Sequence, residues 1–228
     1  MALSYTYLQL QTQIIDELGD RSDLLAPLLT AAAASSPIKR AIQSAIAKWE
    51  RERFYFNEAY NSATPLFTTV SGQELYTSSD AAGIATAPEI DELRALISGT
   101  RVVLTKRGWS YLEDMSSNPS ARGQPSEWAY FAQTIRLYPI PDGAYQIAAM
   151  RTQRLTALSA DADTNVWTQD GADLIRCEAI AQLGHGILKD PALAATAEKQ
   201  IYGPYGHLRM LKAETARRAK SRIRPTTF

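Results

Sequence analysis

The stretch "IRLYPIPDGAYQIAAM" (Ile135–Met150) decides how this chain is read. Two short runs of alternating apolar residues flank the segment Pro-Ile-Pro-Asp-Gly. Ile135 and Leu137 share one side of an extended chain; Tyr145, Ile147 and Ala149 share one side of the next. A two-residue period is the period of a strand. Pro141 presets φ and Asp142-Gly143 supplies turn residues, so the spacing predicts a β-hairpin. Pro139 has no N–H to give to a ladder and ends the first strand before the turn. Nothing in the stretch forms a catalytic pattern, and it reads as scaffold.

Outward from it, residues 61–164 have the same character, with six of the eleven prolines and short, often alternating apolar runs. Leu66–Val70 and Gln73–Tyr76 are strand candidates separated by Ser71-Gly72. Ile90–Ile97 and Arg101–Thr105 are two more, joined through Ser98-Gly99-Thr100 as a hairpin. An aromatic strand is expected after Gly123-Gln124-Pro125. On either side the period changes to that of a helix. Tyr7, Leu10, Ile14, Ile15 and Leu18 recur at helical spacing with Gly19 as a C-terminal cap. Ser36 and Pro37 suit the cap and first position of a second helix, whose stripe is Ile38, Ile42, Ala45, Ile46 and Trp49. Leu174, Cys177, Ile180, Ala181, Gly184, Ile187 and Leu188 keep one face from Ala172 to Lys189. Asp190-Pro191 starts a last helix carrying Ala194, Ala197, Ile201, Tyr205, Leu208 and Leu211, which Gly203-Pro204 should kink. The expected fold class is therefore α+β. A mainly helical body, its N- and C-terminal helices packed as a bundle (1–60 and 165–216), holds an inserted antiparallel β domain (61–164) and ends in an extended basic tail (217–228).

With 228 residues and 45% hydrophobic content the chain can bury a core, and 24 Lys and Arg balance 24 Asp and Glu. Zero net charge implies no attraction of the whole molecule to nucleic acid or to an anionic membrane. The distribution is uneven, however: from His207 onward Arg209, Lys212, Arg217, Arg218, Lys220, Arg222 and Arg224 face a single acid, Glu214. A negative partner is expected there. One cysteine, Cys177, rules out an intramolecular disulfide. No apolar run is long enough to span a bilayer, and "MALSYTYLQLQTQ" lacks the basic and apolar regions of a signal peptide. A soluble protein made in a reducing cytoplasm is the expectation.

Few motifs suggest chemistry. "DADTNV" (Asp161–Val166) begins like a calcium loop, but Val166 stands where the turn glycine belongs and Ala172 where the bidentate glutamate belongs. A side-chain-bonded turn ahead of a helix is the reading. "GHG" (Gly184–Gly186), with His207 the only other histidine, makes no ligand set, so the glycines read as packing positions. Trp49, Phe54, Tyr55 and Phe56 with Lys48, Arg51 and Arg53 resemble an aromatic and basic nucleic-acid surface, yet Glu50, Glu52 and Glu58 interleave and the rings have a core to fill. Neither G-x-x-x-x-G-K, H-E-x-x-H nor G-x-S-x-G is present. No catalytic, cofactor or metal residue is assigned.

The order of these parts carries a resemblance. A helical start with "SPIKRAIQSAIAKWERERFYFNE", strands with "EIDELRALISGTRVVLTKRGWSYLEDM", then "GQPSEWAYFAQTIRLYPIPDGAYQIAAMRTQRLTALSADADTNVW", a helix pair with "GILKDP" and a basic end resemble the head-to-tail adaptor (connector) proteins of tailed bacteriophages. The resemblance implies a non-enzymatic structural protein of the virion at the head–tail junction, in a homo-oligomeric ring of twelve copies. It implies a portal protein on one side, a tail or nozzle protein on the other, and DNA passing through the lumen without sequence specificity; no membrane is involved. The portal-contacting residues it points to are Arg217, Arg218, Lys220, Arg222, Arg224 and the terminal Phe228. Two other classes stay open: a nucleic-acid-binding protein acting through the basic tail, and a phage enzyme with an unrecognised site.

Overall fold

The computed structural model describes residues 5–25, 36–60, 63–116 and 121–220. In chain order, α1 (Tyr7–Glu17) and α2 (Pro37–Trp49) precede β1 (Glu58–Ala59), β2 (Phe67–Thr68), β3 (Leu75–Tyr76) and a four-residue α3 (Ala82–Ala85). Then come β4 (Ile90–Ile97), β5 (Thr100–Val103), β6 (Thr105–Lys106) and α4 (Trp109–Met115). These lead to β7 (Arg122–Gly123), β8 (Glu127–Phe131), β9 (Thr134–Tyr138), β10 (Ile140–Pro141) and β11 (Gln146–Thr152). α5 (Val166–Gln169), α6 (Ala172–Leu183), α7 (Pro191–Tyr202) and α8 (His207–Lys220) follow. The fold is mixed α+β. Backbone proximity divides it into two compact units, Asn57–Arg154 and the residues on either side of that span.

In the helical unit the local signals act as the sequence reading expects. Thr6 and Gln9 form a reciprocal capping box at α1, and Ser36 Oγ accepts from Lys39 N at 3.2 Å at the start of α2. Gly19 takes φ 74° just past α1, a conformation that costs little only without a Cβ. Ile38, Ile42, Ala45 and Trp49 are buried together with Tyr7, Leu10, Ile14, Trp167 and Ile201 in one core. α6 departs from the one-faced helix expected: Leu174, Ile175, Cys177, Ala179, Ile180, Ala181 and Leu183 are all buried, because α1, α2 and α7 all pack on it. Its one buried acid, Glu178, receives Lys48 Nζ at 2.7 and 2.8 Å and Gln182 Nε2 at 3.1 Å. A buried carboxylate is tolerated only with such partners.

Two helical expectations are corrected. The α6 periodicity does not run unbroken to Lys189; Gly184–Leu188 form a π-helical turn that ends at Lys189 in a left-handed conformation (φ 52°). Nor is the last helix merely kinked. Gly203-Pro204 end α7 at Tyr202, Gly206 N bonds back to Gly203 O at 2.9 Å, and α8 starts afresh, which leaves Tyr205 at 92% exposure in the turn and out of any stripe. The segment from Leu155 to Asn165 contains no strand, and Leu158 is buried with the helical core.

The strand unit has a sheet ordered β1-β11-β4-β5, with β2 also on β11, and a second ordered β3-β9-β8-β6. The β4–β5 hairpin forms with Ser98 and Gly99 both at positive φ, as expected of a two-residue turn. The Ile135–Met150 hairpin does not form. β9 pairs with β8 and β3, whereas β11 pairs with β4, β1 and β2, so the two runs belong to different sheets. The residues between them are a crossing segment: Ile140-Pro141 lie parallel to Arg122-Gly123, Ile140 N reaches Ala121 O at 3.0 Å, and Pro141 O accepts from Gly72 N at 2.8 Å. Gly143 does not take positive φ. Its carbonyl accepts from Thr69 Oγ1 at 2.7 Å, and Thr69 Oγ1 in turn accepts from Tyr145 N at 2.8 Å.

The hairpin partner of β9 is β8, through Ala132-Gln133, both left-handed (φ 49° and 58°). The β6–β8 and β7–β10 pairs are parallel, so the unit is mainly but not wholly antiparallel. One core receives Phe67, Ile90, Leu93, Ile147 and Ala149 from the first sheet and Tyr76, Trp128, Ile135 and Leu137 from the second. The Trp128 indole N–H donates to Leu104 O at 3.2 Å, which satisfies the buried ring.

Candidate partner-binding surface

The basic C-terminal region of the sequence is, through Lys220, a helix. Arg217, Arg218 and Lys220 therefore sit on α8 instead of opening an extended tail; Arg222, Arg224 and Phe228 lie outside the described residues. The helix persists because its charges are matched locally and its apolar residues are used. Leu208 and Leu211 pack against the helical core. Glu214, three and four residues back, takes Arg217 Nη2 at 2.6 Å and Arg218 Nε at 2.8 Å. The Arg218 hydrogen bond first, and then that of Arg217, holds the Glu214 carboxyl below the usual carboxylate range.

Arg218 is held further by the ring of Tyr55, 3.7 Å from its guanidinium carbon. Tyr55 N donates to Thr215 Oγ1 at 3.1 Å, and Thr215 Oγ1 donates to Leu211 O at 2.8 Å. Burial, and next a hydrogen bond to Asp170, push the Tyr55 hydroxyl up to about 12. Lys212 Nζ meets Glu52 at 3.0 Å. Arg217 has 78% of its side chain exposed, against 56% for Arg218 and 51% for Lys212. The sequence reading treated all these cations as equivalent; the i, i+3 and i, i+4 spacing of Glu214 to Arg217 and Arg218 was the available signal that they are not.

The other candidate motifs resolve as structural parts. Asp163 Oδ2 accepts from Ser159 N (2.7 Å), Ser159 Oγ (3.0 Å) and Ala160 N (2.7 Å), Asp161 meets Lys39 at 2.8 Å, and Asn165 Oδ1 caps α5 through Trp167 N and Thr168 N. Among the described residues no group of three or more His, Cys, Asp or Glu stands together. Gly184 lies against α7, where a Cβ would come within 3.1 Å of Ala194 Cβ, and His185 Nε2 faces Glu198 at 2.9 Å. Burial pushes the Cys177 thiol up to about 11, away from nucleophilic use. Phe54 and Phe56 stack on each other and both meet Trp167 edge to face, with Phe54 and Trp167 fully buried, so Phe54 and Phe56 are used in packing. No described helix is long and apolar enough to cross a membrane.

The family model of the SU10 adaptor protein matches residues 5–225, both units and the C-terminal basic helix included. The chain belongs to the SU10 adaptor family. It is thus a bacteriophage adaptor, a structural component of the virion, and a structural family points to a scaffold instead of an enzyme. Membership implies partners among portal and tail proteins. No curated protein matches the sequence.

Proposed function

We propose that this adaptor forms a ring of twelve copies that joins the portal to the tail or nozzle and lets DNA pass through its lumen. The observation that carries this reading is the family match over residues 5–225. In a cyclic ring one face of each subunit meets a different face of the next. The helices from both ends of the chain act as the bundle-like body that makes these contacts, and the inserted strand unit presents a fixed face to the neighbouring component. The portal anchor is the C-terminal basic segment: Arg217 on α8, Lys220, and beyond them Arg222, Arg224 and Phe228. Arginines there bind portal carboxylates by bidentate hydrogen bonds. Arg218 serves chiefly to hold α8, since Glu214 and Tyr55 already engage it.

Removal of residues 221–228 tests the anchor while leaving Leu208, Leu211 and the Glu214–Arg218 pair in place. The expected result is an unchanged unfolding transition and loss of co-sedimentation with portal rings. Normal docking by the shortened chain would move the contact to the helical body. Tight, strongly salt-dependent binding of the full chain to DNA, lost in the same truncation, would assign the basic segment to phosphate backbone instead.

A further inference from the structure

Two exposed aromatic patches of this chain carry opposite charge. The first is the tip of the β8–β9 hairpin, where Phe131 is 63% exposed and its ring meets that of Trp109 on α4 at 5.8 Å. The turn that presents it, Ala132-Gln133, is held at positive φ without a glycine, and strain of this kind collects where a segment makes functional contacts. Beside the two rings the buried Arg136 is shared by two acids. Its Nε donates to Glu74 Oε1 at 2.6 Å and its Nη1 stands 3.8 Å from Glu113. One cation between two carboxylates leaves a net negative charge, and that charge faces outward: 64% of the Glu113 side chain is exposed, and Asp114 beside it is exposed too. The cations just before α4 do not cancel it. Arg107 is paired with Glu127 at 2.9 Å, and Lys106 Nζ turns to Ile90 O of the first sheet at 2.7 Å.

The second patch is the α7–α8 turn. Gly203 and Gly206 fix its shape, because a Cβ would come within 2.4 Å of Lys199 O at the first and 2.3 Å of Ile201 O at the second. This turn presents Tyr205 almost wholly to solvent, beside a groove of about 370 Å³ that it lines with Lys199, Gln200 and Pro204. Lys199 is a cation, and among the described residues no acid lines the groove. Arg209, itself exposed, adds a second positive charge, with its Nη1 donating to Pro204 O at 3.4 Å. The acids of α7 and α8 are engaged elsewhere, Glu198 by His185 and Glu214 by Arg217 and Arg218. We propose that the two patches bind each other between copies of this chain: Phe131 of one copy enters the groove beside Tyr205 of a second copy, and Glu113 and Asp114 meet its Lys199 and Arg209. An aromatic anchor seated in a groove and rimmed by charge pairs is how binding energy concentrates at an interface. The opposite signs disfavour pairing of either patch with itself. Because the two surfaces differ, the contact is heterologous, the kind a ring uses; that copies meet at all rests on the ring reading above.

Sedimentation velocity of the full-length chain without portal, followed up to about 1 mM protein, reads this contact. Reversible self-association is expected, with a dissociation constant on the order of 100 µM that rises with salt. Phe131→Ala and Tyr205→Ala should each weaken it by about tenfold or more, the loss typical of an interface anchor. Glu113→Arg and Arg209→Glu should each weaken it as well, and a chain with both reversals should regain most of the lost affinity, which a merely structural role would not give. All four positions are exposed, so melting temperatures close to that of the unaltered chain are expected; Tyr205→Ala carries the test if Phe131→Ala folds poorly. An unaltered chain that stays monomeric throughout, substitutions that leave association unchanged, or failure of the double reversal to restore it would each overturn the proposal. So would loss of portal docking in Phe131→Ala with self-association intact, which would give this face to the portal. The ring reading is tested separately by portal docking of the chain lacking 221–228, so either can fail without the other.

Discussion

The helical unit and the strand unit of this protein keep different kinds of information in their sequences. A helix satisfies its backbone hydrogen bonds within itself, so the stripe Ile38, Ile42, Ala45, Trp49 and the cap Ser36-Pro37 specify α2 without reference to anything distant. A strand satisfies them on another segment. Ile135–Met150 and Glu127–Tyr138 are both two strand-like runs around a reversal, yet the one rich in turn residues crosses between sheets and the one without glycine or proline at its turn is the hairpin. Turn composition says that the chain bends; pairing partners decide into what.

The two buried tryptophans give the largest test of this contrast. Trp167 and Trp128 are both fully buried, and alanine at either should cost about 3–5 kcal/mol in denaturant unfolding. Phenylalanine should separate them. The Trp167 indole N–H has no hydrogen-bond partner, so Trp167→Phe loses only packing against Phe54 and Phe56. Trp128→Phe also strips Leu104 O of its donor and should be costlier by about 1–3 kcal/mol. Equal costs for the two substitutions would show that side-chain bonding contributes no more to the strand unit than to the helical one.

A smaller effect of opposite sign is expected at the β8–β9 turn. Ala132 and Gln133 hold positive φ, where residues with a Cβ are strained. Replacing them with Asn-Gly should raise stability by about 1 kcal/mol, read as a higher denaturant midpoint at constant slope. The same pair placed at Asp142-Gly143 should give no such gain, because that segment is not a two-residue hairpin turn.

The smallest effect is at the surface turn before α5. The backbone N–H groups of Ser159 and Ala160 hold the Asp163 carboxyl below its usual range, and Lys39 does so for Asp161 through a side-chain hydrogen bond. A depressed folded value means stability that is fully present above the ordinary carboxylate pKa of about 3.9 and is lost as pH falls through the folded value. Thermal melts of Asp163→Asn should therefore flatten part of the acid limb below about pH 4 and leave the limb above pH 6 parallel to that of the unaltered chain.

The sequence by itself determined the elements whose causes are local: the stripes of α1 and α2, the caps Ser36 and Asp190, the hairpin through Ser98-Gly99-Thr100, and the reading of "DADTNV" as a bonded turn instead of a calcium loop. It also carried the order of parts by which the adaptor family was recognised. Only the tertiary structure decided that Ile135–Tyr138 and Gln146–Thr152 part company, since the partners that claim them, β8 and β3 on one side and β4, β1 and β2 on the other, are as much as about 90 residues away in the chain. It decided that Arg218 is spent on Tyr55 and Glu214, since Tyr55 is far away in sequence and reaches α8 only through the folded helical unit. Arg151 is the clearest case. Arg151 follows Ile147 and Ala149 on β11, and whether it meets water or protein depends on the register of β4 and the space left at Gly83, because electrostatic environment is a property of what surrounds a charge in space and not along the chain.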